Sequence, residues 1–367
     1  MRLPLSNLRA PFPVLGILVG LVSASGCGLI LGFEDHELWP STSSSSSLSS
    51  SGTSSTGGGT GGTGGVACGS QGFAEPIVFA TGESVPHEIA VDANAVYWVD
   101  IGTAVGQGQV VRVDKAPPHT RTILEGSLVQ ALGMAVDAAH VYTTYAAGNG
   151  YTVVHQLPKG GGPPNVVYNY SGGNGAFAAF ALQGATFAIA TAAPFEGGTV
   201  CLGDTASKSC TQLASNLGPV RAVALDAGTI YWSTNQTGEV FRRQGSTSEA
   251  FVAAGGEAGL SSLTIDADNV YWTNDGDGTV KMLAKSSPGG EPTVLATNEG
   301  SPRGIAVDDE CVYWADYTSG LVRAAPKAGG PSITLAAGQG PYAIAVDASG
   351  VYAAVEGDGV VLQIAKK

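Results

Sequence analysis

Seven times along this chain a short phrase returns: hydrophobic, small, hydrophobic, Asp, a brief gap, then Val or Ile with Tyr and Trp. It reads Ile89-Ala90-Val91-Asp92 with Val96-Tyr97-Trp98, and recurs, with wear at the Trp, around Asp137, Asp226, Asp266, Asp308 and Asp347. A more worn copy, Phe180-Ala181-Leu182-Gln183, is followed by Phe187. The anchors Asp92, Asp137, Gln183, Asp226, Asp266, Asp308 and Asp347 stand 45, 46, 43, 40, 42 and 39 residues apart. A unit this short cannot bury its own apolar faces, so the copies must stack. A period near forty with several short strands per copy is the sign of a β-propeller.

One repeat shows how a blade is built. Ile305-Ala306-Val307 is the first strand and Asp308 to Glu310 a tight turn, where an Asp side chain can bond backbone N–H groups two residues on. Val312-Tyr313-Trp314 is β-branched and aromatic and reads as the second strand. Leu321-Val322-Arg323-Ala324 and Ile333-Thr334-Leu335-Ala336 follow as third and fourth, each after turn chemistry. Before the anchors, large residues such as Ile89, Met134 and Ile305 alternate with small ones such as Ala90, Ala135 and Ala306. Strand side chains alternate between faces, so each blade has a bulky and a small side, and a closed ring lets every bulky side meet a small one. The last copy stops after its third strand, while a spare strand-like run, Pro76 to Ala80, precedes the first copy. Pairing the two completes a seventh blade and covers a bare edge. The expectation is an all-β, seven-bladed β-propeller of four-stranded antiparallel blades, with the copy at Gln183 as its weakest member.

Ahead of the ring, residues 1–26 have the build of a secretory signal: Arg2 and Arg9 precede the apolar stretch Val14 to Val22, which is too short for an ordinary membrane span. Ala24-Ser25-Gly26-Cys27 resembles a bacterial lipobox, although Ala24 departs from the usual Leu. That resemblance implies lipid modification of Cys27 and an exported lipoprotein held at a membrane, the outer membrane being the expected one. The alternative is ordinary signal cleavage nearby. Residues 27–66 then form a tether whose core, Ser41 to Gly65, is almost pure Ser, Thr and Gly and buries too little to offset ordering entropy. At about 5–6 Å times the square root of its length, its reach is roughly 25–30 Å. Residues 67–367 are the propeller domain.

The formal net charge is −13, or −15 once Arg2 and Arg9 leave with the signal, and there is no basic stripe of the kind nucleic-acid binders need. A monomer with no nucleic-acid partner is expected. With Cys27 assigned to lipid, four cysteines remain. Cys201 and Cys210 flank the turn between two strands of the worn copy. A hairpin bridge between them is expected, and a second between the left-over Cys68 and Cys311 would pin the start of the ring; spacing alone establishes neither pairing, and free thiols are the alternative.

Val312-Tyr313-Trp314-Ala315-Asp316, Val270-Tyr271-Trp272-Thr273-Asn274 and Val96-Tyr97-Trp98-Val99-Asp100 resemble the YWTD repeats of lipoprotein-receptor propellers. The whole repeat also resembles bacterial propellers of the NHL and related types, over roughly residues 72–367. The resemblance implies the architecture and leaves activity open, because such rings bind proteins, bind small ligands or catalyse. YWTD rings usually have six blades, and seven copies depart from that.

The chain lacks G-x-S-x-G, H-E-x-x-H and a phosphate-binding Gly-Lys loop. His119, His140 and His155 fall at separate places in the repeat and read as structural. Asn274-Asp275-Gly276-Asp277-Gly278 and Glu356-Gly357-Asp358-Gly359 hint at calcium, but both lie where a hairpin turn is expected. No metal or other cofactor is expected. The residue five before each anchor should stand at the mouth of the central channel: His87, Leu132, Ala178, Arg221, Ser261, Arg303 and Tyr342. His87, Arg221, Ser261, Arg303 and Tyr342 are the candidate ligand-binding set, since Arg presents donors for carboxylate, phosphate or sugar-acid oxygens. Against this, each Arg could simply pair with an acid such as Glu88, Glu257 or Glu299. The functional expectation is a binding module for a protein, an envelope polymer or an anionic or polyhydroxyl ligand. The alternative is an enzyme resembling propeller lactonases or lyases, for which Glu88 is the sole inner-strand carboxylate before the anchors.

Overall fold

Each repeat becomes one sheet of four antiparallel strands, and the computed structural model holds seven such sheets. The structure describes residues 68, 72–146, 152–170, 178–191, 198–234, 237–253 and 259–367. The expected signal, Cys27, the 27–66 tether and Glu257 lie outside the described residues. Numbered along the chain, the blades span residues 86–128, 131–170, 178–214, 220–252, 260–296, 302–337 and 341–365. The seventh is completed by Ile77–Thr81, which pairs antiparallel with Val360–Ala365 and sets Ile77 opposite Gln363. The N-terminal strand therefore covers the edge that the last repeat leaves bare, as expected.

The first strand of each blade is the innermost, and these strands close a circle: Pro86–Val91 touches both Ala131–Val136 and Pro341–Val346. The Tyr-Trp pair on the second strand then serves two interfaces at once, because neighbouring residues on a strand face opposite ways. Tyr97 packs with Ala131, Val141 and Leu157 of the following blade. Trp98 packs with Ala343, Ala345 and Tyr352 of the preceding blade. The same holds where Tyr271 meets Trp314, and where Tyr231 meets Trp272. The bulky side of each blade thus meets the small side of the blade before it in the chain.

The worn copy is a complete blade, Ala178–Gln183, Thr186–Thr191, Thr199–Asp204 and Ser209–Ala214. It replaces the Tyr-Trp packing with a row of rings, Tyr142, Phe180 and Phe187, whose neighbouring centroids are 6.1 and 5.9 Å apart. Gly203 makes room for this, since a Cβ there would come within 2.2 Å of Phe187.

The anchor aspartates do the turn work their repetition implies. Asp308 accepts the backbone N–H groups of Glu310 at 2.9 Å and Cys311 at 2.7 Å on one oxygen, and the Tyr313 hydroxyl at 2.7 Å on the other. Asp92, Asp137 and Asp266 repeat the pattern. A second role was not foreseen. A lysine just after the third strand donates to its own anchor's carbonyl and reaches the anchor carboxylate of the preceding blade. Lys327 bonds the Asp308 carbonyl at 2.9 Å and pairs with Asp266 at 2.5 Å; Lys366 bonds the Asp347 carbonyl at 2.6 Å and pairs with Asp308 at 2.8 Å. Lys115 clasps Asp347, Lys159 clasps Asp92 and Lys285 clasps Asp226 in the same way. Thr205 and Gly245 occupy the equivalent positions in the third and fourth blades, so the clasp is interrupted there.

Both expected disulfides are present. Cys201–Cys210 spans adjacent strands of the third blade, and Cys68–Cys311 ties the segment before the closing strand to the sixth blade.

Candidate functional site

The lysine clasps lie where the innermost strands end; the channel mouth opens at the other face, where they begin. There the pairing of first and second strands slips by a residue or more in six blades, for example between Pro86 and Ile89, Pro302 and Ile305, and Pro341 and Ala343. Such bulges re-aim side chains and are favoured at rims and sites. The third blade pairs without a shift.

Loops entering the inner strands are held by buried acids. Asp100 accepts the N–H groups of Ser84 and Val85 at 2.9 and 2.8 Å, and Asp316 those of Gly300 and Ser301 at 2.9 and 2.7 Å. Glu83 accepts the Trp98 indole N–H and pairs with Arg121; Glu299 does the same for Trp314 and Arg323. Glu299 is therefore committed elsewhere than to Arg221 or Arg303.

The structure brings three of the five expected mouth residues together in one sector, formed by blades six, seven and one. The His87 ring stacks on Tyr342 with centroids 3.9 Å apart, and its Nδ1 lies 2.5 Å from a Glu356 carboxylate oxygen. The Arg303 guanidinium lies over both Tyr317 and Tyr342, 4.7 and 5.4 Å from the ring centroids. Tyr317 meets Tyr342 edge-on at 6.1 Å. Arg221 joins at a distance: it and Arg303 both stabilise the charge on Asp275, whose carboxyl is nonetheless pushed up by burial. Ser261 shares the level on Leu260–Ile265 and is half-buried there.

Asp275, Tyr317 and Glu356 were not anticipated as mouth residues. Each lies nine residues after its anchor, the first residue of the turn leaving the second strand. Their backbone N–H groups donate to Gly259, Ser301 and Gly340 at 3.0 Å, which pins each turn to the loop feeding an inner strand. Gly340, at φ +65°, also lets Tyr317 approach, since a Cβ there would sit 3.1 Å from the ring. The repeat period carried this signal, and a register of positions five before and nine after each anchor would have found it. The two stretches that hinted at calcium are thus hairpin turns that contribute Asp275 and Glu356 to the rim. Among the described residues, no three His, Cys, Asp or Glu side chains are grouped to hold a metal.

Glu88 is the outlier of the mouth. The residue four before each anchor is Glu88, Gly133, Ala179, Ala222, Ser262, Gly304 and Ala343, small in every blade but the first. The reason is proximity: a Cβ on Gly304 would come within 2.7 Å of Ala343 Cα and the Tyr342 carbonyl oxygen on the next inner strand. Burial pushes the Glu88 carboxyl up to about 7, with His87 opposing and Glu356 reinforcing the shift. No hydrogen bond to that carboxyl is found among the described residues. Tyr342 is likewise driven up to about 12 by burial, against the pull of Arg303.

The other described histidines are apart from this sector. His155 is buried between Glu125, at 2.7 Å, and the Tyr145 hydroxyl, at 3.0 Å. His119 packs against Phe79, and His140 sits beside Tyr142.

No family model matches the chain, and no curated protein matches its sequence. Solved structures do share its fold. A chain from a nidogen/laminin complex is 17% identical over 66% of this chain and 95% of its own, with a TM-score of 0.51. A streptogramin B lyase is 12% identical over 80% of this chain and 98% of its own, with a TM-score of 0.61. Virginiamycin B lyase from Staphylococcus aureus is 10% identical over 80% of this chain and 99% of its own, with a TM-score of 0.63. At such identities the likeness establishes the fold. The protein is a seven-bladed β-propeller, and the β-propeller fold is shared by a protein of a nidogen/laminin complex and by lyases.

Proposed function

We propose that this protein is an exported, lipid-anchored propeller whose channel mouth binds an anionic, polyhydroxyl ligand. Residues 1–26 act as the signal, Cys27 carries the lipid, and the tether sets the ring off an outer membrane as a monomer. The observation that carries the binding reading is Arg303, held over Tyr317 and Tyr342 beside His87. The ring faces are engaged with one another and the tyrosine hydroxyls are taken by Glu356 and Arg303, so guanidinium N–H groups and the Glu88 carboxyl are what the sector offers a ligand. Arg donors in a fixed fork suit carboxylate and phosphate oxygens. The sector draws on three blades, so it breaks the ring's sevenfold pattern, which packing alone has no reason to do.

A panel of uronic acids, phosphosugars and wall fragments, screened by thermal shift, tests this. Binding to the parent should be lost in an Arg221→Ala/Arg303→Ala double variant; binding that survives unchanged would place the site elsewhere. Cys27→Ala should move the protein from the membrane to the soluble fraction, and unaltered membrane recovery would reject the anchor. A second reading, an enzyme of lactonase or lyase type, draws support from Glu88, whose carboxyl titrates near the range useful for proton transfer. Turnover of a panel compound that Glu88→Gln abolishes would favour it over simple binding.

A further inference from the structure

We infer that the mouth takes a carboxylate ligand together with a proton, and that Glu88 is the group that takes up the proton and, so neutralised, donates a hydrogen bond to the ligand. This rests on the binding reading above and specifies its ligand class and its selectivity. The first support is positional. Glu88 stands where every other blade has Gly, Ala or Ser, a position that at the junction of blades six and seven leaves no room even for a Cβ. A residue that breaks a rule obeyed six times is expected at a site rather than in a scaffold.

The second support is the company Glu88 keeps. From its own strand comes His87, already engaged by Glu356 at 2.5 Å. From the innermost strand of blade seven comes Tyr342, and from the turn after that blade's second strand comes Glu356. The second strand of blade seven carries Tyr352, whose hydroxyl is taken by Ser349 and Gln363. The inner strand of blade two, Ala131–Val136, carries no ionisable side chain. The second strand of blade one carries Tyr97, bonded to Asp92, and Asp100, bonded to Ser84 and Val85. Arg303 acts on this cluster through Tyr342. Nothing in this shell satisfies the Glu88 carboxyl with a hydrogen bond.

Charge then selects the ligand. With Glu88 ionised, an anion entering beside His87 and Tyr342 meets the charges of both Glu88 and Glu356, which already act on each other, and like charges disfavour binding. A proton on Glu88 removes one of them and turns an acceptor into a donor. A monoanion matches that single proton; a phosphate dianion leaves one charge more. The elevated affinity of Glu88 for its proton makes the neutral form available near neutrality.

D-glucuronate, D-glucose and inorganic phosphate are suitable probes in isothermal titration, between about pH 6 and 8.5, in two buffers of different ionisation enthalpy. For the parent, glucuronate affinity should fall about tenfold per pH unit above neutrality, with close to one proton taken up per ligand at the alkaline end. Glucose and phosphate should bind more weakly. Glu88→Gln, a neutral isostere, should bind glucuronate at every pH as tightly as the parent does in mild acid, with no proton uptake. Glu88→Ala should lose the proton linkage and also bind less tightly, lacking the donor. Glucuronate binding to the parent without proton uptake overturns the inference and leaves the binding reading standing. So does a pH dependence that persists in Glu88→Gln, which would assign the proton to His87. Phosphate preferred over glucuronate would overturn the carboxylate assignment. If no probe binds parent or variant in mild acid, the binding reading falls and this inference with it.

Discussion

Glu88→Gln should stabilise the ring in mild alkali and change it little in acid. The folded Glu88 carboxyl stands at about 7 against an ordinary 4.5. A displacement of that size corresponds to about 3 kcal/mol at 1.36 kcal/mol per unit. Glu88 is half-buried rather than fully enclosed, which makes this the upper end of the effect. The sign follows from proton counting. Between the unfolded and the folded value the native state holds a proton that the unfolded chain has released, so parent stability falls as pH rises through this window and then levels off. Gln mimics the protonated form and does not titrate. The difference between variant and parent should therefore be near zero at about pH 4, grow through about pH 7, and level at up to about 3 kcal/mol above pH 8. For a ring of this size that is a rise in Tm of about 5 °C. Paired thermal or urea melts across the range measure it, and taking the difference cancels the shared titrating groups that are not coupled to Glu88. A stability difference that is constant with pH, or largest in acid, would refute the reasoning.

Two further outcomes concern the scaffold. Asp266 is held down at about 2 by Lys327, Tyr271 and two backbone N–H groups despite burial. A lowered carboxylate contributes stability that is present above its ordinary value and lost as pH falls through the folded one. Lys327→Met should thus cost about 1 kcal/mol near neutrality and move the midpoint of acid unfolding upward, read by circular dichroism; an unmoved midpoint would deny the clasp a stabilising role. The Cys68–Cys311 bond closes a separation of 243 residues and Cys201–Cys210 one of 9 within a hairpin already paired. Removing the first by paired Ser substitutions should cost about 2–4 kcal/mol and removing the second less, a ranking that urea unfolding of the two double variants checks.

Much of the architecture was legible in the chain because it rests on local periodicity. Alternation of large and small residues before each anchor sets which side of a strand packs, and the Asp-to-Tyr-Trp spacing sets the turn and the register. The spare run near Ile77 and the missing fourth strand at the end are complementary by count, so the closure could be read without coordinates. Even the worn copy kept enough alternation to make a blade. The mouth was legible only in part. Counting back from the anchors placed His87, Arg303 and Tyr342 at one level, and they do meet. It could not tell that Glu356 would reach His87, because that contact joins residues 269 apart in the chain. Nor could it tell that Tyr317 and Asp275 would turn to the same rim. Which Arg pairs with which acid, where a lysine finds the preceding blade's aspartate, and why the Glu88 carboxyl is pushed up are set by ring closure. Local sequence dictates strands and turns through the dihedrals and faces of a few neighbouring residues. Burial and charge at the mouth come from what other blades deliver there, and only the closed ring decides that.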